Sequence, residues 1–380
     1  MQTISHQLKV MQVITKGGVG GAQTHVLTLC QELKGRTCLR AAIGGTDAAT
    51  ALGEGLHALG VPVHRLPQLS NSLSPGQLLS AVRALVRLLR EHNPDIIHAH
   101  SAVAGVVTRI AGWITGTPVI YTVHGFGFKS EVPMLQRWAA WLAERALARF
   151  TSHMICVSRH EHQLARGLPI TPDRVSVIAN AVADTPDRAD PGGSPLRIAM
   201  VARSARPKRP DLLLQALALL RDRLGHEIPA SLIGGGSGLE AQRVLSRQLN
   251  LRAIDFPGDV SDVSQRLAQH AIFVLMSDHE GLPISVIEAM RAGMAIVASD
   301  LPGVHELVAP GQHGLLVPNQ ADALAGALAQ LAASAPLRAR LGHAARQRYE
   351  ALFSTSRMAD AVLTLYGQIA AHESARHFSR

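Results

Sequence analysis

The chain has 380 residues, 47% of them hydrophobic and 17% charged, which excludes a disordered protein and is too long for one ordinary core. Lys and Arg number 37 against 28 Asp and Glu, a net charge of +9 that points to anionic partners: phosphates, nucleic acid or an acidic membrane surface. Nucleic acid is disfavoured, because base stacking needs aromatics among the basic residues and only 3% of this chain is aromatic, with no zinc-finger spacing. Cys30, Cys38 and Cys156 are too few and scattered for a disulfide framework, so a reducing cytoplasm is the simplest compartment. The start MQTISHQLKVMQVIT lacks the layout of a signal peptide, and no apolar run reaches the ~18–20 residues of a membrane span.

Short β-branched runs alternate with amphipathic segments. Strands are predicted at 9–15, 41–44, 61–66, 95–100, 118–124, 153–158 and 174–179, with helical patterns such as PGQLLSAVRALVRLLREH (75–92) between most of them. That alternation implies a parallel sheet covered on both faces. DTPDRADPGGSP (184–195) has no apolar period and reads as a linker. The alternation then restarts, with strands predicted at 196–203, 230–235, 253–258, 271–276 and 295–299, and the tail from about Pro336 to His372 is helical by period. The fold class is therefore α/β, with two doubly wound, Rossmann-like domains: 1–185, a linker at 186–195, and 196–353. Ligands of such domains bind beyond the carboxyl ends of the strands, and two facing domains would form a cleft.

Four loops carry chemistry. TKGGVGGAQTHV (15–26) follows the first strand and opens a helix; Gly20 and Gly21 permit close approach of an anion to free N–H groups. It is neither a dinucleotide fingerprint nor a P-loop, and a plain tight turn is the other reading. In YTVHGFGF (121–128), His124 ends a strand and enters a glycine-containing loop. His98 and His100 share one face of a strand. Without a third ligand nearby in sequence, a polar strand end is favoured over a zinc pair.

MVARSARPKRPDLLLQAL (200–217) gathers Arg203, Arg206, Lys208 and Arg209 before a helix, where the helix dipole disfavours cations. A bound anion would resolve that conflict, and a solvated basic loop is the alternative. Finally, HEGLPISVIEAM (279–290) places Glu280 before a helix starting near Pro283, and Glu288 within it. A diphosphate or hydroxyl-rich ligand at that helix start, a hydrolase carboxylate pair and two solvated charges all fit the spacing.

Together, in this order, these pieces resemble the retaining glycosyltransferases of family GT4, which have the GT-B fold. Glu280-Gly281-Leu282-Pro283 through Glu288 is similar to the family's E-x7-E motif. VARSARPKRP is similar to its GR-x4-KG loop, GGVGGAQTHV to its GG-x-E loop (with Gln23 for Glu), VIANAV (177–182) to VIPNGV, and LPGVHELV (301–308) to its GG-x-x-E turn. Pro302 and Ala202 each replace a family glycine, and Met294-Ala295 stands where Lys-Pro or Leu-Pro is common.

The resemblance implies a nucleotide-sugar donor, most simply a UDP-sugar, and a glycan or lipid-linked acceptor in surface polysaccharide synthesis, with no metal or other cofactor. It implies that Arg203 and Lys208, with Gly20 and Gly21, meet the donor diphosphate. Glu280, Gly281, Leu282, Pro283 and Ile284 would hold the sugar, Glu288 the ribose, and His124 would sit beside the sugar with Glu280. The terminal helices, about 354–372, would return to the first domain. Two readings compete: a non-catalytic nucleotide-sugar-binding scaffold, and a nucleotide-sugar epimerase of the same fold. The segment 129–150, with Trp138, Trp141, Arg137, Arg145 and Arg149, suits an anionic lipid boundary at the inner membrane face, or else a core helix with snorkelling arginines.

Overall fold

The computed structural model describes residues 7–47, 49–71, 74–129 and 134–378. The chain divides into two compact units, Met1–Asn180 with Thr355–Arg380, and Ala181–Ser354.

Unit 1 contains β1 (Lys9–Ile14), α1 (Gly21–Leu33), β2 (Cys38–Gly44), α2 (Ala51–Ala58), β3 (Val63–Leu66), α3 (Pro75–His92), β4 (Ile96–His100), α4 (Ala102–Thr115), β5 (Val119–Val123), α5 (Met134–Leu147), β6 (His153–Cys156), α6 (Arg159–Ala165) and β7 (Val175–Val177). All pairings are parallel and the strand order is β3-β2-β1-β4-β5-β6-β7. The order reverses between β1 and β4, the switch point beyond whose carboxyl ends ligands of doubly wound sheets bind.

Local chemistry sets these elements. Pro75 starts α3 at a position where no N–H partner is needed, and Asn93 ends it in the left-handed region at φ 48°, its N–H returned to Leu89 O. Strands β4 and β5 are buried along their whole length, which is why they read as continuous apolar runs broken only by His98, His100 and Thr122.

Unit 2 contains β8 (Ile198–Val201), α7 (Pro210–Leu224), β9 (Ala230–Ile233), α8 (Leu239–Gln248), β10 (Ile254–Gly258), α9 (Val263–Leu267), β11 (Ile272–Leu275), α10 (Ile284–Ala292), β12 (Ala295–Ser299), α11 (Pro302–His305), β13 (Gly314–Val317), α12 (Ala321–Ala333) and α13 (Ala335–Leu352). Its parallel sheet runs β10-β9-β8-β11-β12-β13, with the switch point between β8 and β11. Strand β13 was not expected: GLLV is short and lacks β-branching until its last residue, and pairing with β12 makes it a strand.

The expected linker is not free chain. Arg346 grips Asp184 with two hydrogen bonds of 2.7 and 2.8 Å, Tyr349 Oη donates to Val182 O at 3.0 Å, and Arg338 Nε donates to Pro191 O at 2.6 Å. Side chains of α13 thus hold 182–191 on unit 2, and the division falls at Asn180–Ala181. The helical tail breaks at Phe353–Ser354, and α14 (Thr355–Phe378) belongs to unit 1. There it packs on α1, with Thr355 Oγ1 donating to Glu32 at 2.6 Å and Arg36 paired with Asp360 at 2.8 Å.

Candidate functional site

In unit 2, the loops after β8 and β11 run side by side over the switch point. Asp278 N–H donates to Pro207 O at 2.8 Å and Arg209 N–H to Met276 O at 2.9 Å, with Lys208 bridged to Ser277. This ladder brings Lys208 onto Glu280 in an ion pair, both side chains largely buried. Ser277 is fixed from behind: its N–H donates to Ser299 Oγ at 2.8 Å, and Asn319 Nδ2 donates to its carbonyl at 2.8 Å.

The four cations of this loop are not equivalent. Arg206 pairs with Asp278, and Arg209 pairs with Asp211 at 2.7 Å and Asp278 at 3.2 Å. The conflict between cations and helix dipole is thus met by carboxylates, with Asp211 and Asp278 on Arg206 and Arg209 and Glu280 on Lys208, and of the four cations Arg203 is the one with no carboxylate partner among the described residues. Arg203 is exposed and its guanidinium makes no hydrogen bond or ion pair among the described residues. Asp278 was missed because a lone Asp in MSDHEG has no motif; its role depends on a partner 72 positions away.

Beyond Glu280 the backbone turns at Gly281 and Leu282 into α10, with Pro283 as N-cap and the first helical N–H groups at Ile284 and Ser285. The turn rests on α11. A Cβ on Gly303 would lie 2.1 Å from Gly281 O and 3.0 Å from Glu280 O, so a side chain there would displace both. The replacement of a family glycine by Pro302 therefore leaves the close contact intact, since Gly303 is the residue that makes it. Glu288, one of the polar residues of α10, is half-buried, and the desolvation this brings pushes its carboxyl up to about 7 against the opposing charge of Arg291. It makes no hydrogen bond or ion pair among the described residues, so its oxygens can accept from ligand hydroxyls.

A second loop lies beside Arg203. Gly234-Gly235-Gly236-Ser237-Gly238 follows β9 and exchanges backbone bonds with Ser204: Ser204 N–H to Gly235 O and Gly238 N–H to Ser204 O, both 2.7 Å. Asp259 pins it by accepting from Gly235 N–H at 2.7 Å. Four glycines in five residues are a visible phosphate-loop signal that extends beyond the strand expected at 230–235.

In unit 1, the glycine loop leaves β1 and enters α1 at Gly21. Gly17 has no room for a side chain, since a Cβ would lie 2.3 Å from Thr50 Oγ1. Gln23, where the family often has Glu, folds back to donate to Lys16 O at 3.0 Å. The start of α1 has no side-chain cap, which leaves its first N–H groups available. His124 directly follows β5, and its loop is anchored by Glu161, which accepts from Phe126 N–H at 3.0 Å and pairs with Lys129. Glu161 sits in the first turn of α6, where its own N–H donates to Ser158 Oγ at 3.1 Å. The Ser158-x-x-Glu161 spacing is a capping-box signature that could have found it.

His124 lies among other histidines. Its Nε2 is 3.5 Å from His100 Nδ1, and His25 packs edge-on to it with ring centroids 4.9 Å apart. Burial, with neighbouring histidines, holds His98, His100 and His124 well below the usual imidazole range, and His25 is pushed down to about 4. All four are neutral. His98 and His100 thus have spatial neighbours that sequence spacing does not reveal. His25, His100 and His124 offer nitrogens within 4.8 Å of one another. Zn–N bonds of ~2.1 Å would require ligand nitrogens roughly 3.4 Å apart, so a zinc ion would need the rings to close in.

Two family models match the chain. Residues 20–181 match the glycosyl transferase 4-like domain and residues 186–348 match glycosyl transferases group 1. The chain belongs to the GT4-type glycosyltransferases. Among its relatives, the UDP-Gal:alpha-D-GlcNAc-diphosphoundecaprenol alpha-1,3-galactosyltransferase of Escherichia coli is 26% identical over 264 residues, 64% of this chain and 67% of that one. The Escherichia coli O-antigen biosynthesis glycosyltransferase WbnH is 29% identical over 226 residues, 59% of this chain and 64% of that one. The glycosyltransferase thus spans about two thirds of the length of these relatives. Anabaena Alr3699/HepE, solved with UDP and glucose, superposes with a TM-score of 0.80 at 21% identity, over 95% of this chain and 100% of that one. The sucrose-phosphate synthase of Thermosynechococcus elongatus gives 0.82 at 21%, over 96% and 100%. That likeness is one of fold, and the GT-B class expected from the motifs is the one observed.

Proposed function

We propose that this glycosyltransferase moves a sugar from a UDP-sugar to a hydroxyl of a glycan or lipid-linked saccharide, with retention of anomeric configuration. The observation that carries the reading is the Lys208–Glu280 ion pair at the switch point of unit 2, beside the start of α10, with Arg203 on the loop after β8 and Glu288 within α10. Arg203 and Lys208 bind the diphosphate, assisted by the N–H groups that open α10. Glu288 accepts from the ribose hydroxyls, and Glu280 with the backbone from Gly281 to Ile284 holds the sugar. In unit 1, the Gly20–Gly21 loop meets phosphate and acceptor, and His124 meets the sugar.

As the C1–phosphate bond breaks, negative charge grows on the nucleoside diphosphate, and Arg203 and Lys208 stabilise it. In a front-face displacement the acceptor oxygen bonds to C1 from the side the phosphate leaves. The departing phosphate oxygen takes the acceptor proton. The charge these residues supply is why the reading needs no divalent cation. UDP is favoured because Alr3699/HepE was solved with UDP and glucose and the first Escherichia coli relative is named for UDP-Gal. The lipid-linked acceptor follows the diphosphoundecaprenol in that name.

A membrane-facing role for α5 has its own support. Leu135, Trp138 and Leu142, at i, i+3 and i+7, are 83, 54 and 56% exposed, which supports this reading over the core-helix alternative. Arg145 lies 5.3 Å from the Trp141 ring centroid and Arg149 4.8 Å from that of Phe150. Aromatic and basic side chains in one band suit an anionic headgroup layer. No helix among the described residues is long and apolar enough to cross a membrane.

The test is transfer from a panel of nucleotide sugars to polyprenyl-diphosphate saccharides, with product linkage read by NMR. A new α-linked product from an α-linked UDP-sugar is expected. Bound nucleotide without turnover would favour the scaffold, and interconverted free nucleotide sugars the epimerase.

A further inference from the structure

A stripe of polar side chains crosses the buried face of the unit 1 sheet. Gln12 on β1 pairs in register with His98 on β4, and His100 pairs with Thr122 on β5. Gln12, His98, His100 and Thr122 are all 1% exposed or less, and α14 adds Tyr366, also fully buried. Such groups persist in a core only if their hydrogen bonds are made, and here the bonds define one consistent proton arrangement.

The tyrosine hydroxyl has a single proton, and burial pushes its pKa far above the ordinary range, so the proton stays. Gln12 Nε2 donates to Tyr366 Oη at 3.0 Å, so the hydroxyl proton goes to its other partner, His98 Nδ1, at 2.6 Å. Neutral His98 then carries its own proton on Nε2 and donates to Thr122 Oγ1 at 2.7 Å. With its nitrogen on Tyr366, the Gln12 amide turns Oε1 to His100 Nε2, 2.8 Å away, which must be the donor. His100 Nδ1 is therefore an acceptor, and it faces His124 Nε2 at 3.5 Å. His124 holds its proton on Nε2, and its Nδ1 is left as an acceptor. Reversing the Gln12 amide would reverse each of these protons and turn His124 Nδ1 into a donor.

We propose that Tyr366 and Gln12 are positioning residues that fix His124 as a hydrogen-bond acceptor at Nδ1, and so select a substrate hydroxyl as its partner. The role of His124 at the sugar rests on the proposed function; the wiring behind it does not. It makes the carboxyl-terminal helix part of the unit 1 half-site although no residue of α14 belongs to the loops.

The test uses the full chain labelled with 15N-histidine, together with steady-state transfer kinetics. Wild type is expected to show His98, His100 and His124 neutral with Nε2 protonated. Nδ1 protonation of His100 in wild type would overturn the proposal. Tyr366→Phe is expected to give mixed tautomers at His100 and a roughly tenfold fall in kcat, about what one lost neutral hydrogen bond is worth, with the donor KM within about twofold. Gln12→Leu is expected to act likewise and decides the matter if Tyr366→Phe does not fold. Gln12→Glu keeps an acceptor for His100 Nε2, so it should hold the His100 tautomer and the rate near wild type even though its carboxylate, which cannot donate, draws the Tyr366 proton away from His98. Slower variants with unchanged tautomers would reduce the stripe to packing and overturn the proposal. A wild type with the expected tautomers but no transfer would defeat the proposed function while supporting the wiring.

Discussion

Lys208 and Glu280, 72 positions apart in sequence, form an ion pair over the switch point of the unit 2 sheet. Each holds the other at the edge where a doubly wound sheet takes its ligand. Lys208→Ala removes a cation from the diphosphate and leaves Glu280 without its partner there. It is expected to weaken UDP binding by roughly 30-fold, the value of about 2 kcal/mol for hydrogen bonds to a charged group. Arg206→Ala, which removes a side chain already paired with Asp278 and 70% exposed, is expected to change affinity less than about twofold. Fluorescence titration of UDP against both variants checks the contrast.

The raised carboxyl of Glu288 has a consequence for stability. Its folded pKa of about 7 lies above the ordinary 4.5, so between those values the folded state binds the extra proton. Stability from this group is present in acid and lost as pH rises through 7. The buried histidines act oppositely: their folded pKa values are depressed, so they cost stability as pH falls below about 6.5. The Glu288 contribution is therefore read as a difference. Relative to wild type, Glu288→Gln is expected to be more stable by up to ~3 kcal/mol at pH 8 and little changed at pH 4.5, as measured by urea denaturation. An equal difference at both pH values would refute the raised pKa of this carboxyl.

Gly303 is expected to tolerate no side chain. Gly303→Ala sets a methyl against Gly281 O and should cost about 2 kcal/mol. Because the contact lies under Glu280, it should also raise the donor KM. A thermal melt and a kinetic assay on the same preparation check both, and an unaltered variant would show that the turn is not held from α11.

Most of the fold was legible because β-branched runs and helical periods alternate so regularly. What escaped was set by partners distant in sequence. β13 is a strand only because β12 pairs with it, and the apparent linker is ordered by arginines of α13 more than 140 residues later. The site was legible as motifs, but charge state was not. Four cations in one turn looked alike, but Asp211, Asp278 and Glu280 pair three of them. His98 and His100 looked like an isolated pair, whereas α14 and the loop after β5 complete their bonds.

The apolar stripe of α5 gives a further expectation. Trp138→Ser with Leu142→Ser should reduce binding to vesicles containing anionic phosphatidylglycerol at least fivefold at low salt, without altering UDP affinity. Arg145→Gln with Arg149→Gln should reduce it and flatten its salt dependence. Co-sedimentation measures both. Wild type left in the supernatant at low salt would end the membrane reading.

The central claim is that unit 2 grips a nucleotide-sugar donor with Glu288 on the ribose. Its most direct test is calorimetric titration of UDP into wild type and Glu288→Ala at pH 8, where the carboxylate is ionised. The account expects at least a tenfold loss of affinity in the variant, with the fold retained. Equal affinity in the two proteins would contradict it.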